Sequence, residues 1–237
     1  GKNVRIPTLR LVLETLWGRA EELLETRNLV NVNIEIKDED NRASDLLVEE
    51  LSRYGIDRVK DNVAVVSRFC SVINHFRATV RHRIPTAACE GEATKFMFRT
   101  WYLDRVRPLL SLIPFVDAML SNAFYKRPEY SVLQIPMYSG GMSLITDQIV
   151  KAAHAQQTEV HFWVANSQSE INSVVTGGAE GLITDRTDAA VKILQERNLY
   201  HPAGYDAPNS EPLQYYPPRE DWEESHECVT VFCVVIR

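Results

Sequence analysis

Hydrophobic and polar positions along this chain alternate between two periods, one near 3.6 and one of 2. Leu9, Val12, Leu13 and Leu16 recur at helical spacing through Trp17, with Pro7 at an early helix position. Leu29 to Lys37 then alternates as a strand, and Asp45 to Tyr54 returns to the helical pattern through Leu46, Leu47 and Leu51, with Gly55 as its stop. Asn62 to Phe69 is a Val-rich strand, Ser71 to His82 a helix and Ile84 to Cys89 a short strand. Glu90 to Leu112 is helical or helix-loop-helix, broken by Pro108 and Pro114. Val116 to Leu120 and Val132 to Pro136 are short apolar runs that each fit a strand. Asp147 to Gln156 predicts a helix, Glu159 to Asn166 a strand, Ser169 to Thr176 a helix, Gly181 to Thr184 the last strand and Ala189 to Arg197 the last helix.

This alternation of strands and helices implies a mostly parallel sheet with helices outside it. About six strand-helix units are visible, against the eight of a closed barrel. The composition of the 237 residues, 45% hydrophobic and 24% charged, is that of a globular domain. It excludes disorder over the whole chain. A formal charge of -6 argues against nucleic acid as the main partner, because binding phosphate backbones needs a concentrated positive field. The four cysteines, Cys70, Cys89, Cys228 and Cys233, lack zinc-site spacing and read as buried free thiols.

After Arg197 the composition changes. Residues 198–237 hold Pro202, Pro208, Pro212, Pro217 and Pro218 among several tyrosines, an extended or disordered tail. The tail ends in the apolar run Cys228 to Ile236, which is too short to cross a bilayer as a helix, since that takes about twenty residues. It reads as a terminal strand or as the start of a membrane helix. The domain reading is therefore 1–197 for the strand-helix body and 198–237 for the tail.

Candidate chemistry sits at strand ends. In Asn33-Ile-Glu-Ile-Lys37, Glu35 and Lys37 leave one face of a strand while Ile34 and Ile36 leave the other. A carboxylate beside an ammonium suits a metal and a phosphate, or simply an ion pair with no ligand. Trp163 and Asn166 end another strand, Thr184 and Asp185 a third. Trp163 offers a flat apolar wall or plain core packing, and Asn166 a hydrogen-bond partner. His154 reads as a structural histidine satisfied by a carbonyl, and His161 as facing the core or a helix. Asp188 fits an N-cap, and Asp185 a cap or a brace for a cation or arginine. There is no Gly-x-Ser-x-Gly elbow, no phosphate-cradling Gly-rich loop and no His-Glu-x-x-His.

In order along the chain stand Ile6-Pro-Thr-Leu9, Asn33-Ile-Glu-Ile-Lys37, Ser67 with Phe69, Ala152-Ala-His154, Trp163 to Asn166 and Gly181-Leu-Ile-Thr-Asp-Arg-Thr-Asp188. On these residues the chain resembles the glycerophosphodiester phosphodiesterase family of TIM-barrel, metal-dependent phosphodiesterases, over roughly residues 4 to 195. The resemblance implies an α/β fold, a TIM-type barrel of parallel strands truncated at its N-terminus. It also implies hydrolysis of glycerophosphodiesters or lysophospholipids with a divalent metal ion, Ca or Mg. In it Glu35 is a metal ligand, Lys37 a phosphate contact, and Trp163 and Asn166 substrate contacts.

The same resemblance places both catalytic histidines and two further acidic metal ligands before Gly1, so that the chain alone is expected to be inactive. Two departures stand out: Arg68 separates Ser67 from Phe69, and Val164-Ala165 follows Trp163 where the family has Thr-Val. The expected partner is a small-molecule or lipid phosphodiester, with membrane association open and localisation unassigned. The alternatives are a noncatalytic degenerate barrel that binds a glycerol-phosphate group or serves as a structural module, and a different barrel hydrolase with convergent strand-end chemistry.

Overall fold

The structure, a computed structural model, describes residues 6–20, 30–105, 128–197 and 199. These fall into two compact units that meet in sequence between Pro85 and Thr86.

In the first unit, α1 (Leu9–Trp17) starts where the Thr8 hydroxyl accepts the Leu11 N–H. It buries Leu13 and Trp17, and the Trp17 ring meets Tyr54 edge to face at 5.3 Å. β1 (Val32–Glu35) pairs in parallel with β2 (Val63–Val66), in a register that sets Ile34 beside Val65 and Glu35 beside Val66. Between them run α2 (Asn41–Tyr54) and the single turn α3 (Ile56–Val59). Gly55, at φ +84°, ends α2 in a backbone conformation that side chains with a Cβ rarely adopt. α4 (Cys70–Thr79) follows β2 and buries Val72, Ile73 and Phe76. Arg10 and Glu50 tie α1 to α2 through a forked ion pair.

The second unit opens on α5 (Glu90–Arg105) and holds a three-stranded parallel sheet ordered β3 (Val132–Pro136), β6 (Glu159–Trp163) and β7 (Gly181–Ile183). The hairpin β4 (Tyr138–Ser139) and β5 (Met142–Ser143) leads into α6 (Asp147–His154), and α7 (Gln168–Thr176) and α8 (Thr187–Glu196) follow β6 and β7. Leu133, Ile135, Val160, Phe162 and Leu182 pack with Ile149, Val150, Ile171, Val174 and Leu194 of the helices in one apolar core. A helix that returns the chain between parallel strands buries one sheet face, and the period of 2 selects which side chains go there.

Most expected elements are present with shifted ends, for local reasons. Leu29 lies outside the described residues, and from Val30 to Lys37 the expected strand is a ladder of four residues, although the Ile36 N–H still reaches the Val66 carbonyl at 2.7 Å. α2 begins before Asp45 because Asp40 caps it, its carboxylate accepting the Arg42 N–H at 2.9 Å. Ile84 to Cys89 forms no strand. Pro85 has no N–H to give, and the segment keeps only isolated bridges, among them the parallel one of Ala87 to Val132. α8 starts at Thr187, so Asp188 lies inside the first turn and is not the N-cap.

Cys70 and Cys89 are disulfide-bonded, where composition suggested free thiols. Disulfide formation depends on the proximity of Cβ atoms, which sequence spacing does not report. The apolar run Val116 to Leu120, Cys228, Cys233 and the tail beyond Leu199 lie outside the described residues.

Two histidines differ from their expected settings. His154 has a carboxylate beside it, its Nε2 lying 2.6 Å from Glu180 Oε1. The other oxygen of Glu180 accepts the Val160 N–H at 2.9 Å, so one carboxylate links α6 to the start of β6. His161 shares the parity of Glu159 and Trp163 and therefore leaves the sheet face opposite the helix-packed Val160 and Phe162. There its Nε2 lies 3.3 Å from Glu159 Oε2 and its Nδ1 3.5 Å from Gln134 Nε2.

Across the ladder His161 stands beside Gly181, whose missing Cβ leaves room for the imidazole. A Cβ there would come within 2.5 Å of His161 Cγ, close to the root of the side chain. Gly181→Ala is expected to destabilise the unit by about 1–3 kcal/mol in chemical denaturation, the usual range for overpacking. Most of that loss should vanish in the Gly181→Ala/His161→Ala double variant; an equal loss in both backgrounds would show that the imidazole is not the obstacle.

Candidate functional site

The first unit presents Glu35 and Lys37 at the carboxyl end of β1. Burial alternates along the strand, with Val32, Ile34 and Ile36 inside and Asn33, Glu35 and Lys37 on the other face. Lys37 Nζ lies 2.9 Å from Glu35 Oε2, and both side chains reach solvent in part, the lysine at 41% and the glutamate at 27%. A pair this exposed contributes little to stability, so its value lies in what it presents. The carboxylate can accept a cation and the ammonium an anion. At the end of the neighbouring strand Ser67 is fully buried, and its hydroxyl accepts the Phe69 N–H at 3.2 Å, shaping the turn into α4. Arg68 leans over the Phe69 ring at 5.3 Å.

The second unit presents Trp163 and Asn166 after β6. Trp163 and Val164 are about two-fifths exposed, at 41% and 43%, while Ala165 between them and Asn166 is fully buried. A large aromatic face left in water at a strand end is a surface that an apolar or alcohol group can cover.

Asn166 is held by three bonds. Its Nδ2 donates to Asp185 Oδ2 at 3.0 Å, and its Oδ1 accepts the Asp185 N–H at 2.9 Å and the Thr184 hydroxyl at 3.2 Å. The Asp185 N–H can only donate and its carboxylate can only accept, which fixes which way the amide points. One amide N–H of Asn166 is left for a ligand. Asp185 thus braces an asparagine.

Behind Asn166 a capping box starts α7. The Ser167 hydroxyl and the Glu170 carboxylate exchange bonds with each other's backbone N–H groups, and Glu170 Oε2 also accepts the Asn166 N–H at 3.1 Å. The N–H and hydroxyl of Ser167, with the Asn166 N–H, hold the Glu170 carboxyl below its ordinary range. Ser167-x-x-Glu170 is the sequence signature of such a box, so this support was readable in advance. The Asn166 to Asp185 clasp was not, because it depends on which strand neighbours β6.

The donor set bears on a divalent ion. Calcium takes about six to eight oxygen ligands, and magnesium an octahedron commonly completed by water. Glu35 is a suitable hard oxygen donor. Among the described residues, no group of three or more His, Cys, Asp and Glu side chains is gathered to hold a metal. Glu35 therefore fits as one ligand and does not make a site with its described neighbours. His154, on the helix before β6, and His161, on β6, each have a carboxylate oxygen near Nε2, from Glu180 and Glu159.

Comparison with known proteins bears on the same residues. A model of the glycerophosphoryl diester phosphodiesterase family matches residues 1–189. The chain belongs to this family. A glycerophosphodiester phosphodiesterase from Bacillus altitudinis is 30% identical over 90 residues, 36% of this chain and 37% of that protein. A protein from Silicibacter pomeroyi DSS-3, assigned as a glycerophosphoryl diester phosphodiesterase, superposes with a TM-score of 0.52 at 16% identity, over 82% of this chain and 58% of its own. That likeness supports an α/β fold with parallel strands. The chain spans less than two thirds of the length of either relative.

Two outcomes test this geometry. Asn166→Ala is expected to cost about 1 kcal/mol in denaturation, the usual net loss for exposed hydrogen bonds, and to leave the Asp185 amide faster in hydrogen exchange. An unchanged Asp185 amide would mean that the clasp does not form. The second concerns Asp188, whose hydrogen bond to Arg186 lowers its carboxyl from 3.8 to about 2. The depressed value means that the pairing is fully present above pH 3.8 and is lost as the pH falls through about 2. A carboxyl NMR titration should show that midpoint, and Arg186→Gln should return it close to 3.8.

Proposed function

We propose that this chain is part of a hydrolase for glycerophosphodiesters, including lysophospholipids, in which Glu35 and Lys37 face the phosphodiester. The reaction adds water across one P–O ester bond and yields a phosphomonoester and an alcohol. The observation that carries this reading is the Glu35–Lys37 pair itself, 2.9 Å apart on one face of a strand end in a chain of this family.

In this reading the parallel strands belong to a TIM-type barrel, whose active sites gather at the carboxyl ends of the strands. Lys37 lies against a nonbridging phosphate oxygen and stabilises the negative charge that grows as water attacks. Glu35 offers one oxygen ligand to a divalent ion, Ca or Mg. When bound, such an ion polarises the phosphoryl group. In the second unit, taken by itself, Trp163 offers a wall that an alcohol group can cover. Asn166, with its carbonyl occupied, positions that wall and adds a single N–H contact.

A second reading is a binding module without turnover. It is favoured by the same pair, because Glu35 already satisfies Lys37 and no further metal-binding group is gathered among the described residues.

The experiment is release of choline from glycerophosphocholine and from a lysophospholipid, with calcium or magnesium added, for the natural full-length protein that contains this chain and for its Glu35→Gln and Lys37→Ala variants. Turnover reduced about 100-fold or more by either substitution is expected, the scale for losing a group that stabilises transition-state charge. Glycerol-phosphate binding that needs Lys37 without any turnover would favour the binding module. Turnover indifferent to both substitutions would overturn the assignment of this strand end.

A further inference from the structure

We propose that the outward face of α5 docks on an anionic lipid surface. Helix α5 runs from Glu90 to Arg105, and its inward face is accounted for: Phe96 and Thr100 are buried, and Phe96 joins the core of the second unit. Arg99 and Gln148 fasten it at the sides, through the Gln156 amide oxygen at 3.2 Å and the Thr100 carbonyl at 3.3 Å.

The opposite face is built otherwise. At about 100° per residue, Lys95, Phe98, Trp101, Tyr102 and Arg105 fall within roughly a third of the helix circumference, centred opposite Phe96 and Thr100. Phe98 and Trp101 are 61% and 56% exposed, values that soluble surfaces rarely grant to neighbouring aromatic residues. The Phe98 ring stands 6.1 Å from that of Trp101 and 6.4 Å from that of Tyr102, so the three form one apolar patch held in place by the helix.

The chemistry of the patch selects the occupant. Trp and Tyr rings favour the level of lipid headgroups, where an apolar body and a polar edge are both satisfied. Exposed Lys95 and Arg105 bracket the aromatic residues along the helix, while the chain as a whole carries a charge of -6. A locally cationic, aromatic face on an acidic chain complements an anionic surface and would be repelled elsewhere. With Phe96 packed in the core, α5 would meet the headgroup level through its outward aromatic rings alone. No helix among the described residues is long and apolar enough to cross a membrane, so contact through the face of α5 needs no spanning segment.

The test uses the full chain and does not depend on turnover, so its failure and failure of the hydrolase reading are separate results. Co-sedimentation is measured with phosphatidylcholine vesicles and with vesicles that also contain phosphatidylserine. Binding is expected only to the mixed vesicles and should weaken as salt is raised. Phe98→Ala/Trp101→Ala should reduce it about ten-fold or more, and Lys95→Glu/Arg105→Glu by at least about five-fold for each charge. Leu46→Ala, which removes an exposed apolar side chain from α2, should leave it unchanged. Unaltered far-UV circular dichroism shows that the variants are folded. Equal binding by wild type and the Phe98/Trp101 variant, absence of binding by wild type, or self-association through these aromatic residues without lipid would each overturn the proposal.

Discussion

Successive side chains of a strand leave opposite faces of its sheet, so only every second one packs under the returning helices, and this alternation governs which residues the strand ends can present. In β6 it sends Val160 and Phe162 into the helical core and leaves Glu159, His161 and Trp163 on the far side. In β1 it sends Val32, Ile34 and Ile36 inward and turns Asn33, Glu35 and Lys37 to the other face. The apolar set provides the folding free energy. On the other face Glu35 and Lys37, paired with each other, stand where a ligand can reach them.

A strand end still has to be held if its side chains are to act, and here the holding is done by side chains that cap or clasp. Asn166 joins the end of β6 to Thr184 and Asp185 after β7, while Ser167 and Glu170 start α7 from the same turn. Exposed Trp163 is therefore mounted close to a backbone fixed from two directions. Ser67 acts similarly at the end of β2, where its buried hydroxyl closes the turn into α4. Rigid mounting is what allows a half-exposed group to meet a ligand without first losing conformational freedom.

How far this was legible in the sequence follows from the range of each interaction. Glu35, Lys37 and Trp163 were readable because their placement depends only on a period of 2 within one strand. Val132 to Pro136 was found with its bounds intact, since an apolar run between turn signals is also a local feature. The helix start at Asn41 was displaced because a single cap, Asp40, decides it, and α8 starts at Thr187, two residues ahead of the expected Ala189. Neither the carboxylate partner of His154 nor the disulfide-bonded state of Cys70 and Cys89 could be read at all. Each of those depends on groups far apart in the chain.

The bare α-carbon of Gly181 beneath the His161 ring makes two positions, twenty residues apart, a single unit of change. A larger residue at 181 is closed to this chain as long as an imidazole lies over it, and opens only after 161 has become small. Drift at this point of the sheet therefore has a direction: His161 must shrink first, and a homologue with a side chain at the position of Gly181 will already have lost the ring.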